Sequence, residues 1–277
     1  MPVLRTLLSG LVVGESPRWH DGRLWLCDWG AREVVAVDAD GRRETIDVNT
    51  YAWSIDWLPD GRLLVVSSSD RRLLRREVDG SLAVHSDVTG IWNELVVDDR
   101  GNAYIDSIGF DLTGGEDFRP GSIFVAALDG STRQVADDLM FPNGMTITPD
   151  RSTLIVAESY GKRLTAFDID ADGGLSNRRV WADLGIGTPD GICSDAEGTV
   201  WYADVPNKRC VRVREGGEEI EIVDVGLGCF ACMLGGDEGR TLHIVTAEWR
   251  GPQHMFDEPR TGCVLTTRAS AGHDGRP

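Results

Sequence analysis

One pattern recurs six times along the sequence, and such a repeat constrains the fold more strongly than any single residue does. Each unit has a turn that contains an acidic residue and usually glycine, followed by an apolar strand, a short link and a second apolar strand. The turn markers stand at equivalent positions of the six units: Gly22, Gly61, Gly101, Arg151, Gly198 and Gly239. Their separations of 39 to 50 residues define the length of one unit.

Units of this length with about four strands are typical of β-propeller blades, because one blade cannot bury both faces and must pack against neighbours in a ring. We therefore predict an all-β fold, a six-bladed β-propeller with four-stranded antiparallel blades, in a single domain of residues 1–277. The last unit lacks an outer strand and residues 3–13 precede the first unit, so the N-terminal strand should close the ring. The polar tail, residues 269–277, is predicted to be flexible.

An excess of negative charge restricts the partners of the chain. The 28 basic and 45 acidic residues give a net charge of -17, which repels the phosphates of nucleic acids and anionic membrane surfaces. The N-terminal apolar stretch is interrupted by Arg5 and Ser9, so it is too short for a membrane span and lacks the features of a secretory signal. The six cysteines fit reduced, mostly buried thiols. We expect a cytoplasmic protein that binds neither nucleic acid nor membranes.

Side chains at the same offset in each propeller unit form a ring around the central channel. The position that opens the innermost strand holds, from the first unit to the sixth, Glu15, Trp53, Asn93, Asn143, Asp190 and Ala231. Four of the six carry oxygen acceptors and none is positively charged. Converging carboxylates repel each other unless a counter-charge lies between them, and a hard cation with oxygen ligands supplies that charge. The ring therefore predicts one divalent metal ion at the channel mouth.

The identity of the ion is less constrained than its place. Calcium is the first expectation, and magnesium, manganese or zinc remain open because mixed carboxylate and amide oxygens discriminate weakly. Taken singly, Asn143-Gly144 and Asp190-Gly191 are typical of turns. Their coincidence on one ring favours a site.

Two further sets of residues fall near the same mouth. The far ends of the second strands carry Asp28, Ser67, Asp106, Glu158 and Asp204, either as partners of the metal ligands or as strand ends that face solvent. Aromatic residues in the same register, among them Trp29, Phe141 and Phe230, can wall a pocket. The predicted substrate contacts are Trp53, Ile91, Trp92, Asn93, Phe110 and Tyr160.

Four segments are distinctive in their order along the chain: Gly14-Glu15-Ser16-Pro17-Arg18-Trp19, Asn93 with Asp98 to Gly101, Pro142-Asn143-Gly144-Met145, and Pro189-Asp190-Gly191-Ile192-Cys193 with Asp195-Ala196-Glu197-Gly198. Together they resemble the markers of the SMP-30/gluconolactonase/LRE family, also called the regucalcin family, over nearly the whole chain. The resemblance implies a six-bladed propeller, a divalent metal bound by Glu15, Asn143 and Asp190, and a contact from Asn93 to substrate or water. It also implies hydrolysis of a small-molecule lactone.

One position departs from the family pattern. Sugar-acid lactonases of the family commonly carry arginine two residues before the matching asparagine, whereas this chain has Ile91 there. The loss of a guanidinium and the gain of an apolar side chain favour a less polar lactone.

The resulting hypothesis is a metal-dependent lactonase in which Asp190 is both ligand and general base, and Asn93 holds the water or the developing oxyanion. One alternative is a metal-dependent phosphotriesterase-like hydrolase, since a metal polarises a phosphoryl oxygen as well as a carbonyl. Another is a non-catalytic calcium-binding propeller whose mouth docks a partner. Serine acyl transfer is disfavoured because the sequence has no Gly-x-Ser-x-Gly elbow.

Overall fold

The computed structural model describes residues 3–48, 50–86, 90–112 and 114–275. Within these ranges the strands form six four-stranded antiparallel sheets, and the helical structure is one 3-10 turn at Pro252–His254. Each innermost strand packs against the innermost strands of the two neighbouring blades, and the sixth blade meets the first. The predicted six-bladed β-propeller is confirmed. No helix in the described ranges has the length and apolarity needed to cross a bilayer.

The strands are numbered along the chain, and the first strand of each blade is the innermost. Blade 1 contains β2 (Gly14–His20), β3 (Arg23–Asp28), β4 (Glu33–Val37) and β5 (Arg43–Asp47). Blade 2 contains β6 (Ala52–Trp57), β7 (Leu63–Ser67), β8 (Arg72–Arg76) and β9 (Leu82–Ser86). Blade 3 contains β10 (Trp92–Val97), β11 (Ala103–Ser107), β12 (Gly121–Ala126) and β13 (Thr132–Leu139).

The remaining blades repeat this order, except at the outer edge of the last one. Blade 4 contains β14 (Pro142–Ile147), β15 (Thr153–Glu158), β16 (Arg163–Ile169) and β17 (Leu175–Asp183). Blade 5 contains β18 (Pro189–Ser194), β19 (Val200–Asp204), β20 (Arg209–Val213) and β21 (Glu219–Asp224). Blade 6 contains β22 (Gly228–Gly235), β23 (Thr241–Ala247), β24 (Gly262–Arg268) and, outermost, β1 (Arg5–Leu11).

The repeat markers occupy the tight turns between the first and second strands of the blades. Gly22 and Gly198 have φ angles of 71° and 75°, in the left-handed region that glycine enters without a steric penalty. Arg151 adopts the same conformation, with φ 65°. The marker is therefore a required backbone conformation, which explains why five of the six units use glycine.

The core lies between the blades, and burial decreases from the channel axis outward. The inner strands β10 and β15 are buried at every position, whereas outer strands such as β13 and β21 contain several exposed residues. Successive residues of one strand face opposite neighbours. Trp201 packs into the core shared with blade 6, and Tyr202 packs into the core shared with blade 4; both side chains are fully buried.

The two chain ends meet near blade 6. β1 pairs antiparallel with β24, so the predicted closure by the N-terminal strand is confirmed. Residues 269–275, which were predicted to be flexible, pack under the blades instead: Ala269 N–H donates to the carbonyl of Arg240, and His273 bridges to Asp195. Ala269 and Ala271 are buried, so small apolar residues anchor this polar segment to the blades. Residues 276 and 277 of the predicted tail lie outside the described ranges.

All six cysteines are free thiols, and five of them are buried. Cys193, Cys210, Cys229 and Cys232 lie together in the core of the last two blades. Burial raises the pKa of the Cys210 and Cys229 thiols, so these side chains stay neutral. They act as small apolar core residues.

Candidate functional site

A cavity of about 370 Å³ opens where the innermost strands begin. The second residues of four innermost strands supply polar groups to its lining: Glu15, Asn93, Asn143 and Asp190. Trp53 occupies the same strand position in blade 2 and also lines the cavity. In blade 6, Phe230 lines the cavity and Ala231 belongs to the core, which corrects the predicted ring position of Ala231. The structure thus brings five of the six predicted ring members together.

Every innermost strand carries a β-bulge near the level of the cavity. Pairing in blade 4 passes from Pro142 directly to Met145, and in blade 5 from Pro189 to Ile192. A bulge frees residues from the ladder and redirects their side chains. Because Asn143 lies inside the first bulge and the aspartate after Pro189 lies inside the second, both side chains are aimed into the channel. In blade 6 the irregularity falls between Cys229 and Ala231, which accounts for the shifted cavity residue there.

Gly144 and Gly191, which follow Asn143 and Asp190, stand where neighbouring blades nearly touch. A Cβ atom on Gly144 would lie 2.5 Å from the backbone nitrogen of Ile192, and one on Gly191 would lie 2.5 Å from the Cβ of Ala231. Both distances are too short for real contacts, so only glycine permits this approach. The Asn-Gly and Asp-Gly pairs are therefore not turns but points of close contact between inner strands.

A chain of hydrogen bonds fixes the amide groups of the site. Asn93 Nδ2 donates to Asn143 Oδ1 at 3.3 Å, and Asn143 Nδ2 donates to Ser159 Oγ at 3.3 Å. Ser159 Oγ in turn donates to the carbonyl oxygen of Pro189 at 2.7 Å. The Ser159 hydroxyl thereby orients the Asn143 amide so that its oxygen faces Asn93. That oxygen has a second lone pair for a further ligand.

The two carboxyl groups of the site repel each other. Burial, and next the charge of Asp190, raise the pKa of Glu15 well above its usual value. Burial, and next the charge of Glu94, do the same to the pKa of Asp190. No lysine or arginine side chain is among the described residues that line the cavity. The site therefore concentrates negative charge without a neutralising side chain of its own.

This arrangement can be tested for its fit to a metal ion. In the described part of the chain no group of three or more His, Cys, Asp or Glu side chains is placed to share an ion. A cation at the mouth would thus need the amide oxygen of Asn143 beside the carboxylates of Glu15 and Asp190. Carboxylate and amide oxygens are the ligands that calcium and magnesium prefer. The donor set fits a hard divalent cation.

The second tier of polar residues supports the site from behind. Asp28, Ser67, Asp106, Glu158 and Asp204 are all buried, which excludes the reading that they face solvent. The carboxylates in this set accept hydrogen bonds from backbone N–H groups near the strand ends. Asp28 accepts hydrogen bonds from the N–H groups of Val12 and Val13, and Glu158 accepts one from Met140. Asp106 accepts a hydrogen bond from the N–H of Glu94, the residue after Asn93.

Four of the six residues predicted to contact a substrate line the cavity: Trp53, Ile91, Asn93 and Tyr160. Trp92 does not. Its ring is buried edge-on against Phe124, and its Nε1 donates to the carbonyl of Arg71 at 3.0 Å. Because adjacent strand residues face opposite sides, Trp92 turns away from the cavity that Asn93 enters. The prediction that Trp92 contacts substrate is corrected.

Phe110 also lies outside the lining. Its ring is buried and packs edge-on against Phe141 at a centroid distance of 5.7 Å. Phe141 and Tyr160, which do line the cavity, pack edge-on at 4.9 Å. Phe110 therefore supports the cavity wall from behind, and its predicted substrate contact is corrected as well.

Part of the wall was not predicted. The additional apolar residues that line the cavity include Ile108, Leu112, Val205, Pro206, Trp249 and Met255. They lie in the loops after second strands, including the long connection between β23 and β24. Repeat offsets do not extend into these loops because their lengths differ between blades. The sequence signal that could have found them is the run of apolar residues in otherwise polar loops.

A second cavity, of about 530 Å³, lies at the outer edge of blade 4 and contains three arginines. Arg163 binds Glu158 through two nitrogens, and Arg178 donates to the carbonyls of Asp137 and Asp138. These guanidinium groups hold strands together. The mouth of the channel is therefore the better candidate for a functional site.

Comparison with known protein sequences identifies relatives over most of the chain. The sequence profile described as the SMP-30/Gluconolactonase/LRE-like region matches residues 13–248. A 6-deoxy-6-sulfogluconolactonase from Pseudomonas putida is 24% identical over 267 residues, which cover 94% of this chain and 92% of that protein. Regucalcin from Xenopus laevis is 27% identical over 255 residues, which cover 85% of this chain and 83% of that protein.

Comparison with solved structures gives the same architecture. A calcium-binding regucalcin from Agrobacterium tumefaciens superposes with a TM-score of 0.84 at 23% sequence identity. The match covers 100% of this chain and 97% of that one. At this identity the similarity shows a shared fold.

Proposed function

The chain belongs to the SMP-30/gluconolactonase/LRE-like family, and on that premise we propose that it is a metal-dependent hydrolase that opens a lactone ring. The observation that carries the proposal is the convergence of Glu15 and Asp190 on one cavity with no cationic side chain among its described lining residues. A lactonase and a regucalcin among the relatives support it.

Glu15, Asn143 and Asp190 would hold one divalent cation, calcium in the first instance. A bound cation supplies Lewis-acid chemistry: it polarises a carbonyl and lowers the pKa of a water molecule in the site. The protein contributes the rest. The bulges and Gly144 and Gly191 hold the three side chains together, and Ser159 fixes the orientation of the Asn143 amide.

Asp190 is the proposed general base. Burial, and next the charge of Glu94, raise the pKa of its carboxyl group, which makes it a better proton acceptor than an exposed aspartate. In the hydrolysis it takes a proton from the attacking water while the water oxygen bonds to the lactone carbonyl carbon. The tetrahedral centre then collapses, the ring C–O bond breaks, and the proton passes to the ring oxygen, which leaves a hydroxy acid.

Asn93 is the proposed donor to the developing oxyanion. Its amide is buried and is positioned by the hydrogen bond that it donates to Asn143. An N–H group in such a place can stabilise negative charge on the former carbonyl oxygen, because it does not need to reorganise during the reaction.

A lactone panel, run on metal-stripped protein reloaded separately with calcium, magnesium, manganese or zinc, tests the proposal. We expect hydrolysis only in metal-loaded samples, and a loss of kcat/KM of about 10³-fold or more in Asp190→Ala. Asp237→Ala, which removes an exposed aspartate away from the cavity, is the matched control and should retain activity. Undiminished hydrolysis by Asp190→Ala would contradict the proposal.

The same samples separate the alternatives. Turnover of a phosphotriester without turnover of any lactone would favour the phosphotriesterase-like reaction. Tight binding of calcium with neither activity would favour the non-catalytic calcium-binding propeller.

A further inference from the structure

The walls of the cavity are mainly apolar, and their polar members besides the metal-ligand candidates and Asn93 are Asp111, Ser159 and Thr188. One wall consists of Trp29, Trp53, Phe230 and Trp249, and the opposite wall of Ile91, Ile108, Leu112, Phe141 and Tyr160. Trp29 and Trp53 are stacked at a centroid distance of 4.5 Å, and Trp249 packs edge-on against Phe230 at 5.8 Å. Aromatic faces of this kind bind apolar groups through area burial and ring contacts.

Some of the polar groups in these walls are already engaged with the protein. Trp29 Nε1 donates to the carbonyl of Trp53 at 3.0 Å, and Ser159 Oγ donates to the carbonyl of Pro189 at 2.7 Å. Asp111 Oδ1 accepts a hydrogen bond from the N–H of Gly114 at 2.7 Å. The Trp29 N–H and the Ser159 O–H would have to leave these partners before they could donate to a substrate hydroxyl.

The apolar surface continues to the rim. Tyr160 and Trp249, on opposite walls, are 48% and 40% exposed. Large aromatic side chains that face a cavity and remain half exposed mark a surface that a ligand covers. The cavity volume of about 370 Å³ is also in the range that holds a ligand larger than a small lactone ring.

On the basis of the proposed lactone hydrolysis, we propose that the substrate is a lactone with an alkyl or aryl substituent rather than a polyhydroxylated sugar lactone. The lactone carbonyl lies at Glu15, Asn93, Asn143 and Asp190, and the substituent extends between the two aromatic walls to Tyr160 and Trp249. A sugar lactone would place several hydroxyls against these walls. A hydroxyl that faces the apolar part of the walls would give up its hydrogen bonds to water without a replacement, which disfavours binding.

A series of γ-lactones with the same ring and alkyl substituents from methyl to octyl tests this proposal. In metal-loaded protein kcat/KM should rise roughly threefold with each added methylene group until the cavity is filled, and then level off. Gluconolactone should be hydrolysed more slowly than the hexyl-substituted lactone. A flat or falling series, or a preference for gluconolactone, would overturn the apolar-substrate proposal and leave lactone hydrolysis intact. Absence of turnover with every lactone would contradict the proposed function itself and this proposal with it.

Two single substitutions in the connection between β23 and β24 test where in the cavity the alkyl substituent is bound. Trp249→Ala removes a rim side chain of the cavity, so it should reduce kcat/KM for the hexyl lactone by roughly tenfold and the methyl lactone by clearly less. Phe256→Ala is the matched control, because Phe256 is 43% exposed, lies in the same connection and does not line the cavity. The dependence on chain length should be unchanged in Phe256→Ala. Equal losses for both lactones in Trp249→Ala would contradict the assigned path of the substituent.

Discussion

The two ends of the central channel are built from the same inner strands, yet they differ in their free space and in the pairing of their charged side chains. At the mouth, a cavity of about 370 Å³ contains Glu15 and Asp190, whose charges repel each other. At the lower end the free space is about 20 Å³, room for about one water molecule. There Arg18 binds Glu94 at 3.1 Å, and Asp274 accepts hydrogen bonds from Ser194 and Arg151 at 3.2 Å.

The contrast shows that bringing charged side chains together and pairing them with an opposite charge are separate properties of the fold. The propeller brings inner-strand residues together at both ends. Where a side chain of opposite charge is supplied, as in the pair of Arg18 and Glu94, the buried charges stabilise the closed end. Where none is supplied, as at Glu15 and Asp190, the charge is left for a ligand to neutralise.

The largest expected effect is on catalysis, from Glu15→Gln. This substitution removes one proposed metal ligand without changing side-chain volume, so kcat/KM should fall by about 10³-fold. The metal-free protein should be as stable as the parent or more stable, because a buried repulsion is relieved. Lactone kinetics and denaturant unfolding in chelator measure the two effects. A large loss of stability without metal would break the comparison.

Glu94→Gln is the matched substitution at the paired end and should have the opposite effect on stability. It leaves the buried Arg18 without its counter-charge, which should lower the free energy of unfolding by about 3 kcal/mol. Denaturant unfolding of both Glu→Gln variants side by side is the measurement. Equal stabilities of the two variants would show that pairing does not distinguish the two regions.

His243 tests whether another buried titratable group without a counter-ion behaves as expected. Burial lowers its pKa from 6.5 to about 4, and its ring lies against Trp19 and near the carbonyl of Met233. The imidazole binds a proton more tightly in the unfolded chain than in the folded one. The contribution of neutral His243 to the free energy of unfolding is therefore full above pH 6.5 and is lost as the pH falls towards 4. Between about pH 7 and pH 5 this loss should amount to about 2 kcal/mol. His243→Gln should flatten this part of the stability profile, and an unchanged slope would contradict the assignment.

Truncation after Arg268 should have the smallest effect on catalysis, because the segment that it removes lies at the lower end. It removes the buried Ala269 and Ala271, the hydrogen bond from Arg212 to Ser270 and those that Asp274 accepts. The free energy of unfolding should fall by about 3 kcal/mol or more. Lactone kcat/KM should change less than about twofold, because the mouth keeps all of its residues. A larger loss of activity would show that the two ends are coupled.

The sequence predicted the parts of the site that depend on the repeat. Glu15, Trp53, Asn93, Asn143 and Asp190 stand at one offset, and a propeller turns an offset into a ring. It was harder to predict which adjacent side chains of an innermost strand point into the cavity. Each of these strands contains a bulge that the sequence pattern does not reveal.

Local irregularity also explains the individual errors. The repeat register places Trp92 near the mouth, although strand alternation turns its side chain into the core. The tail was expected to be flexible from its polarity, but two buried alanines, Ala269 and Ala271, hold it against the blades. Loop residues such as Trp249 have no counterpart at a repeat offset, so only the folded chain places them at the cavity.

The central claim is that Glu15, Asn143 and Asp190 share one divalent cation. Calorimetric titration of metal-stripped protein with calcium tests it most directly, with the parent, Asp190→Asn and Asp237→Ala compared at one pH. We expect one calcium ion per chain in the parent and in Asp237→Ala, which removes an exposed carboxylate away from the cavity, and binding weakened by about 10²-fold or more in Asp190→Asn. Calcium binding of equal affinity in the parent and Asp190→Asn would contradict the account.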